Sequence, residues 1–159
     1  MTRSEIHRSF VSAFHQGMLP SPAASLDIQR VEQALSTVLP QAYITFMQMH
    51  GAVRTPSLLS LIVDGRHEQW DVMALSELAE VSEGTKSYWS AGMPEHLIGF
   101  AQDSMGNLFC FHRVPPAGPR PCDAEIWFFD HEFCSESRVA NGFDEWLLSY
   151  LKLKRQVPE

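Results

Sequence analysis

An α+β domain is what this sequence predicts, and three observations predict it. Apolar residues recur at helical spacing near both ends, strand-like runs fill the middle, and dense turn formers separate those runs. The 159 residues match a prior of about 150 residues for one domain. Residues 1–24 read as an N-terminal helix and linker ahead of the rest of a single domain. Hydrophobic residues are 45% and charged residues 19%, a globular balance far from that of disordered chains.

The elements follow in order. Thr2 and Glu5 can make a capping box ahead of Ile6, Phe10 and Phe14, and Gly17 supplies a helix stop. Two prolines within residues 18–24 make a linker, and Ser25 is a fresh N-cap. Ile28, Val31, Leu35 and Val38 form a helical stripe that Leu39-Pro40 interrupts. Tyr43, Phe46 and Met47 line the next helix, which His50-Gly51 closes.

Beyond Gly51 the pattern becomes strand-like. Leu58 to Val63, an Asp64-Gly65 turn and Gln69 to Met73 predict a hairpin. Ser76 caps a short polar helix to about Glu83, with residues 84–92 as loop. His96 to Ala101, the turn formers of residues 103–107, and Leu108 to His112 predict a second hairpin. Four prolines in residues 114–123 demand an extended surface loop, and Glu125 to Asp130 is a bulky strand. The last helix places Phe143, Trp146, Leu147, Tyr150 and Leu151 on one face. Asn141 is its cap, Asp144 and Glu145 sit in the first turn, and Lys152, Lys154 and Arg155 sit in the last.

Composition excludes several functions. No apolar run approaches the roughly 20 residues of a membrane span, and residues 1–19 lack the apolar core of a secretory signal, so a cytoplasmic location is expected. Residues 60–150 hold fifteen Asp and Glu against five Lys and Arg. Such a field repels phosphate backbones and speeds encounter with a basic protein. Cys110, Cys122 and Cys134 are odd in number and without a C-x-x-C pair, which predicts reduced, mostly packing thiols.

Catalytic signatures are missing. The sequence contains no G-x-S-x-G, no G-x-x-x-x-G-K-[ST] and no strand-borne G-x-G-x-x-G. The carboxylate pairs Glu77-Glu80 and Asp144-Glu145 fall in helix first turns, where the helix dipole explains them. Cys110, His112, Asp130 and His131 have the residue types of a metal site but not its ligand spacing. Residues 103–108 lack the register of a calcium loop. These residues point to no catalytic residue, metal or cofactor, and an uncharacterised metal-binding enzyme using Cys110, His112, Asp130 and His131 is kept as a third alternative.

The segment "VEQALSTVLPQAYITFMQMHGA", with Glu32, Leu39-Pro40, Tyr43, Phe46 and Gly51, resembles the N-terminal signature of the SUKH superfamily. That superfamily includes fungal cell-wall synthesis regulators and bacterial toxin-immunity proteins. "LIGFAQDSMGNLFCFH", "IWFFDHE" and "VANGFDEWLLSYL" are similar, in the same order, to its central hairpin, following strand and closing helix, so the family-like core spans residues 25–152. The family often has Gly-Gly where this chain has Gly51-Ala52, and an acid where it has His112.

The resemblance implies a mixed, mostly antiparallel sheet flanked by helices, without a catalytic centre. It also implies a protein-binding role, as an immunity protein occluding a cognate toxin or as a regulatory adaptor on an endogenous protein. A nuclease toxin is basic because it must hold phosphate, so the acids of the central region are the expected interface: Asp64, Glu68, Asp71, Asp103, Asp130 and Glu132. Turns and strand ends are expected to expose them. No nucleic-acid or membrane partner is expected.

Overall fold

The computed structural model describes residues 1–156. Val157–Glu159, which the domain reading included, lie outside the described residues. The elements run α1 (Arg3–Phe14), α2 (Ser25–Leu35), α3 (Gln41–His50), α4 (Ser57–Asp64), β1 (Ala74–Leu75), α5 (Leu78–Ser90), β2 (Leu97–Gln102), β3 (Leu108–His112), β4 (Ile126–Asp130), β5 (Ser135–Ala140) and α6 (Phe143–Arg155). The strands form one sheet in sequential order, and all four pairings are antiparallel. The expected mixed sheet thus has no parallel pair among the described strands. Successive strands are neighbours, so the sheet is an antiparallel meander in which α5 spans the β1–β2 connection and the proline-rich loop the β3–β4 connection.

The two sheet faces differ. Ile98, Phe100, Phe109, Phe111, Ile126 and Phe128 join the main core with Phe10, Tyr43, Phe46, Phe143, Trp146 and Tyr150 of α1, α3 and α6. Phe100 and Phe111 stack with centroids 4.2 Å apart, and Phe143 meets Tyr43, Phe46 and Phe100 edge-on at 5.6–5.9 Å. Such pairs contribute about 0.5–1.5 kcal/mol each beyond burial. On the opposite face a smaller cluster of Met93, Leu97, Leu108, Cys110 and Phe129 packs against Tyr88 and Trp89 of α5.

The register shifts between Gly99 and Ala101, and this bulge lets the adjacent Phe100 and Ala101 both join the main core. Thr85 of α5 clasps this point, its hydroxyl accepting from the Gly99 amide at 3.0 Å. A Cβ on Gly99 would meet Leu108 Cδ1 at 2.6 Å.

Several helix ends depart from expectation, and at α3 and α6 a distant partner supplies the cap. The Thr2–Glu5 capping box forms, but α1 stops at Phe14, before Gly17, and α2 is capped from Ala24, one residue ahead of Ser25. Ser36 turns left-handed, so Val38 lies beyond the helix. Pro40 offers α3 no side-chain cap; Pro121 and Cys122 carbonyls of the proline-rich loop accept from the Gln41 and Ala42 amides instead. The loop is thus tied to the domain. Likewise α6 is capped by Asp123 and not by Asn141: Asp123 Oδ1 accepts from Phe143 N at 2.7 Å.

Two expected elements are corrected and one is added. The hairpin over residues 58–73 is absent; Ser57–Asp64 is helical and buries Leu58 and Ile62, one turn apart, and residues 69–73 form no strand. A short apolar run fits either period, and packing against α6 selects the helix. The segment 84–92, expected as loop, continues α5 to Ser90 because Val81, Thr85 and Trp89 share one face turned to the sheet, which outweighs the cost of Gly84. Finally β5, absent from the expectation, is an edge strand with too little burial to show alternation.

Candidate protein-docking surface

The turns between β2 and β3 and between β4 and β5 emerge at the same end of the sheet. In the first, Asp103 Oδ1 accepts from the amides of Met105 and Asn107 at 2.9 and 2.8 Å, and Oδ2 accepts from Asn107 Nδ2 at 2.9 Å. Carboxylates that accept turn amides in this way substitute for backbone pairing. Asp71 accepts from the Ser104 amide and hydroxyl at 3.0 and 3.2 Å. Burial pushes the Asp71 carboxyl above its ordinary pKa, and the Ser104 hydrogen bonds pull against that shift.

The second turn is built alike: Asp130 Oδ1 accepts from the amides of Glu132 and Phe133 at 2.9 and 3.3 Å. Asn107 Oδ1 accepts from the amide and Nδ1 of His131 at 3.1 and 2.7 Å, which joins the two turns. Because Asn107 Nδ2 faces a carboxylate, its oxygen must face His131, and the shared hydrogen therefore resides on Nδ1.

The six expected interface acids divide accordingly. Asp71, Asp103, Asp130 and Glu132 gather at this end, whereas Asp64 ends α4 and Glu68 lies in the following loop. Asp64, Glu68 and Glu132 are exposed and Asp130 is half-buried. Asp71 and Asp103 are buried, at 7% and 4% exposure, which corrects the expectation that their turns present them. They face inward because the turn amides need acceptors.

Sequence reasoning missed the two largest side chains here. Met105 is 69% exposed and Phe133 is 79% exposed. The signal was present: each is a large apolar residue inside a run of turn formers, where no turn geometry requires it. Neither turn, over residues 102–107 and 130–137, contains a Lys or Arg. Two apolar knobs beside acidic groups have the chemistry of a protein interface, apolar at its centre and polar at its rim.

Cys110 is buried, and burial pushes its thiol far up from the ordinary value, as expected of a packing residue. Cys122 and Cys134 are free but exposed, so packing does not explain them. His131 and Asp130 are engaged in the turn, apart from Cys110 and His112.

The profile of the SMI1 / KNR4 family (SUKH-1) matches residues 22–149 of the chain. The chain belongs to this family. No curated protein matches it. The SUKH-1 match covers every strand, while α1 precedes it. Glu32, the acid of the N-terminal signature, has a structural role in this SUKH-1 domain: its Oε2 accepts from the Leu39 amide and from Arg120, both at 2.7 Å. Gly51 has one too, because a Cβ there would stand 2.4 Å from the Ser21 carbonyl oxygen. No helix among the described residues is long and apolar enough to cross a membrane.

Proposed function

We propose that this SUKH-1 domain is a non-enzymatic binding protein, and specifically an immunity protein that neutralises a basic cognate toxin in the cytoplasm by stoichiometric occlusion. The observation that carries this reading is the exposure of Phe133 and Met105 on two tied turns that hold Asp130 and Glu132 and no basic residue. The polar groups around them are spent on holding the turns, and the acidic central region complements a protein built to grip phosphate. No cofactor enters the reading.

Calorimetric titration against the effector encoded beside this gene tests it. A one-to-one complex is expected, weakened about tenfold or more by Phe133→Ala. Glu132→Gln should slow association at low salt. Undiminished affinity in a Phe133→Ala, Met105→Ala double variant rejects the surface. A housekeeping partner captured from unstressed cells, with no affinity for the effector, turns the reading to the regulatory adaptor.

A further inference from the structure

The sheet face turned away from the main core carries a group of side chains that the docking surface does not use. His96 immediately precedes β2, His112 ends β3, and Glu136 lies in β5. One carboxylate bridges both imidazoles: Glu136 Oε1 lies 2.8 Å from His96 Nε2, and Oε2 lies 3.7 Å from His112 Nε2. All three donor atoms fall within 4.8 Å of one another, and no other group of three or more candidate ligands converges so closely among the described residues.

Their placement is held from outside the cluster. The His112 ring lies flat on the Trp127 indole, 4.4 Å between centroids and 17° between planes, and stands at 86° to His96. The His96 carbonyl accepts from the Arg113 amide at 2.7 Å, which fixes its backbone against the end of β3. Four donors around tetrahedral zinc at 2.0–2.1 Å are about 3.3 Å apart, and the observed 2.8 and 3.7 Å straddle that spacing.

We propose that His96, His112 and Glu136 form a binding site for a divalent transition metal of the zinc class. Two Nε2 atoms and a carboxylate oxygen supply three ligands, and water takes the fourth position. Two imidazoles and a carboxylate select zinc, nickel or copper over magnesium and calcium, which favour all-oxygen shells. The ion would brace the start of β2 and the end of β3 to the edge strand β5. The site is independent of the partner reading.

The test is calorimetric titration of Zn2+ into the full chain after chelator stripping. Saturable binding of one ion per chain is expected, with a matching rise in melting temperature. His112→Ala and Glu136→Gln should each weaken it on the order of tenfold or more. Cu2+ should quench Trp127 fluorescence in the unsubstituted chain and leave a Trp127→Phe variant less quenched, a readout independent of fold stability. Unchanged Zn2+ affinity in a folded His96→Ala, His112→Ala, Glu136→Gln variant would place binding elsewhere on the chain, at exposed Cys122 and Cys134 or another histidine, and overturn the site. Absence of saturable Zn2+ binding overturns it equally.

Discussion

The Asn107 side chain is the rivet between the two hairpin turns: its oxygen accepts from the His131 amide and ring, and its nitrogen donates to Asp103. Both turns at the exposed end of the sheet are therefore positioned by one buried amide. A docking surface built this way is preorganised, which lowers the entropic cost of binding. Asp103→Ala would leave the Met105 and Asn107 amides without their acceptor. Stability should fall by about 1–3 kcal/mol, measured by urea denaturation, and a loss below the measurement error would show that water replaces the carboxylate.

Phe133→Ala and Trp146→Ala should have opposite effects in stability and binding. Trp146 is 2% exposed and packs on Phe100, Phe109 and Tyr150, so its loss should cost about 3–5 kcal/mol. Phe133, at 79% exposure, should change stability by no more than about 0.5 kcal/mol. Thermal melts of the two variants check this. A large loss for Phe133→Ala would mean that the residue supports its turn and is not free to meet a partner.

His7 makes the domain sensitive to acid. It lies in α1, 1% exposed, with Nε2 2.6 Å from Oδ1 of Asp144 in α6. Burial holds its pKa below the ordinary value, and the Asp144 hydrogen bond opposes that shift. The unfolded chain consequently takes up a proton that the folded chain resists. The resulting stability is full above a pH of about 6.5 and is lost as pH falls through the depressed folded value. His7→Phe, which keeps a ring beside Phe46 and Phe143, should flatten the melting temperature against pH. An unaltered slope would assign the acid response elsewhere, with His50, also lowered by burial, next in line.

Glu32 and Arg120 fasten the proline-rich loop to the corner between α2 and α3. Glu32→Ala removes both the ion pair and the acceptor for the Leu39 amide, and should cost about 1–3 kcal/mol. Arg120→Ala removes a half-exposed partner and should cost no more than about 1 kcal/mol. Limited proteolysis should cut residues 114–122 sooner in the Glu32 variant. Equal cutting in both proteins would show that the carbonyl contacts of Pro121 and Cys122 hold the loop alone.

Gly51 should tolerate alanine less well than Gly17. Both have positive φ, at 72° and 93°, but only Gly51 has a backbone oxygen where the Cβ would go. Gly51→Ala should cost more than the strain of about 1–3 kcal/mol that φ alone imposes, and equal losses in chemical denaturation would locate the effect in φ.

Where local patterns were strong, they were sufficient to identify the elements. The stripe of α6, the stripe of α2, the Thr2–Glu5 box and the second hairpin all form, because periodic burial and turn chemistry act within a few residues. The order of motifs identified the SUKH superfamily for the same reason, since chain order is a property of sequence. The choice of helix for Ser57–Asp64, the extension of α5 and the existence of β5 depended on neighbours far along the chain. So did the inward orientation of Asp71 and Asp103, the convergence of His96 and His112 on Glu136, and the cap that Asp123 lends to α6. A short apolar run or a lone carboxylate can satisfy itself in several ways, and only the partners that tertiary packing brings within hydrogen-bond or van der Waals reach decide which one it takes.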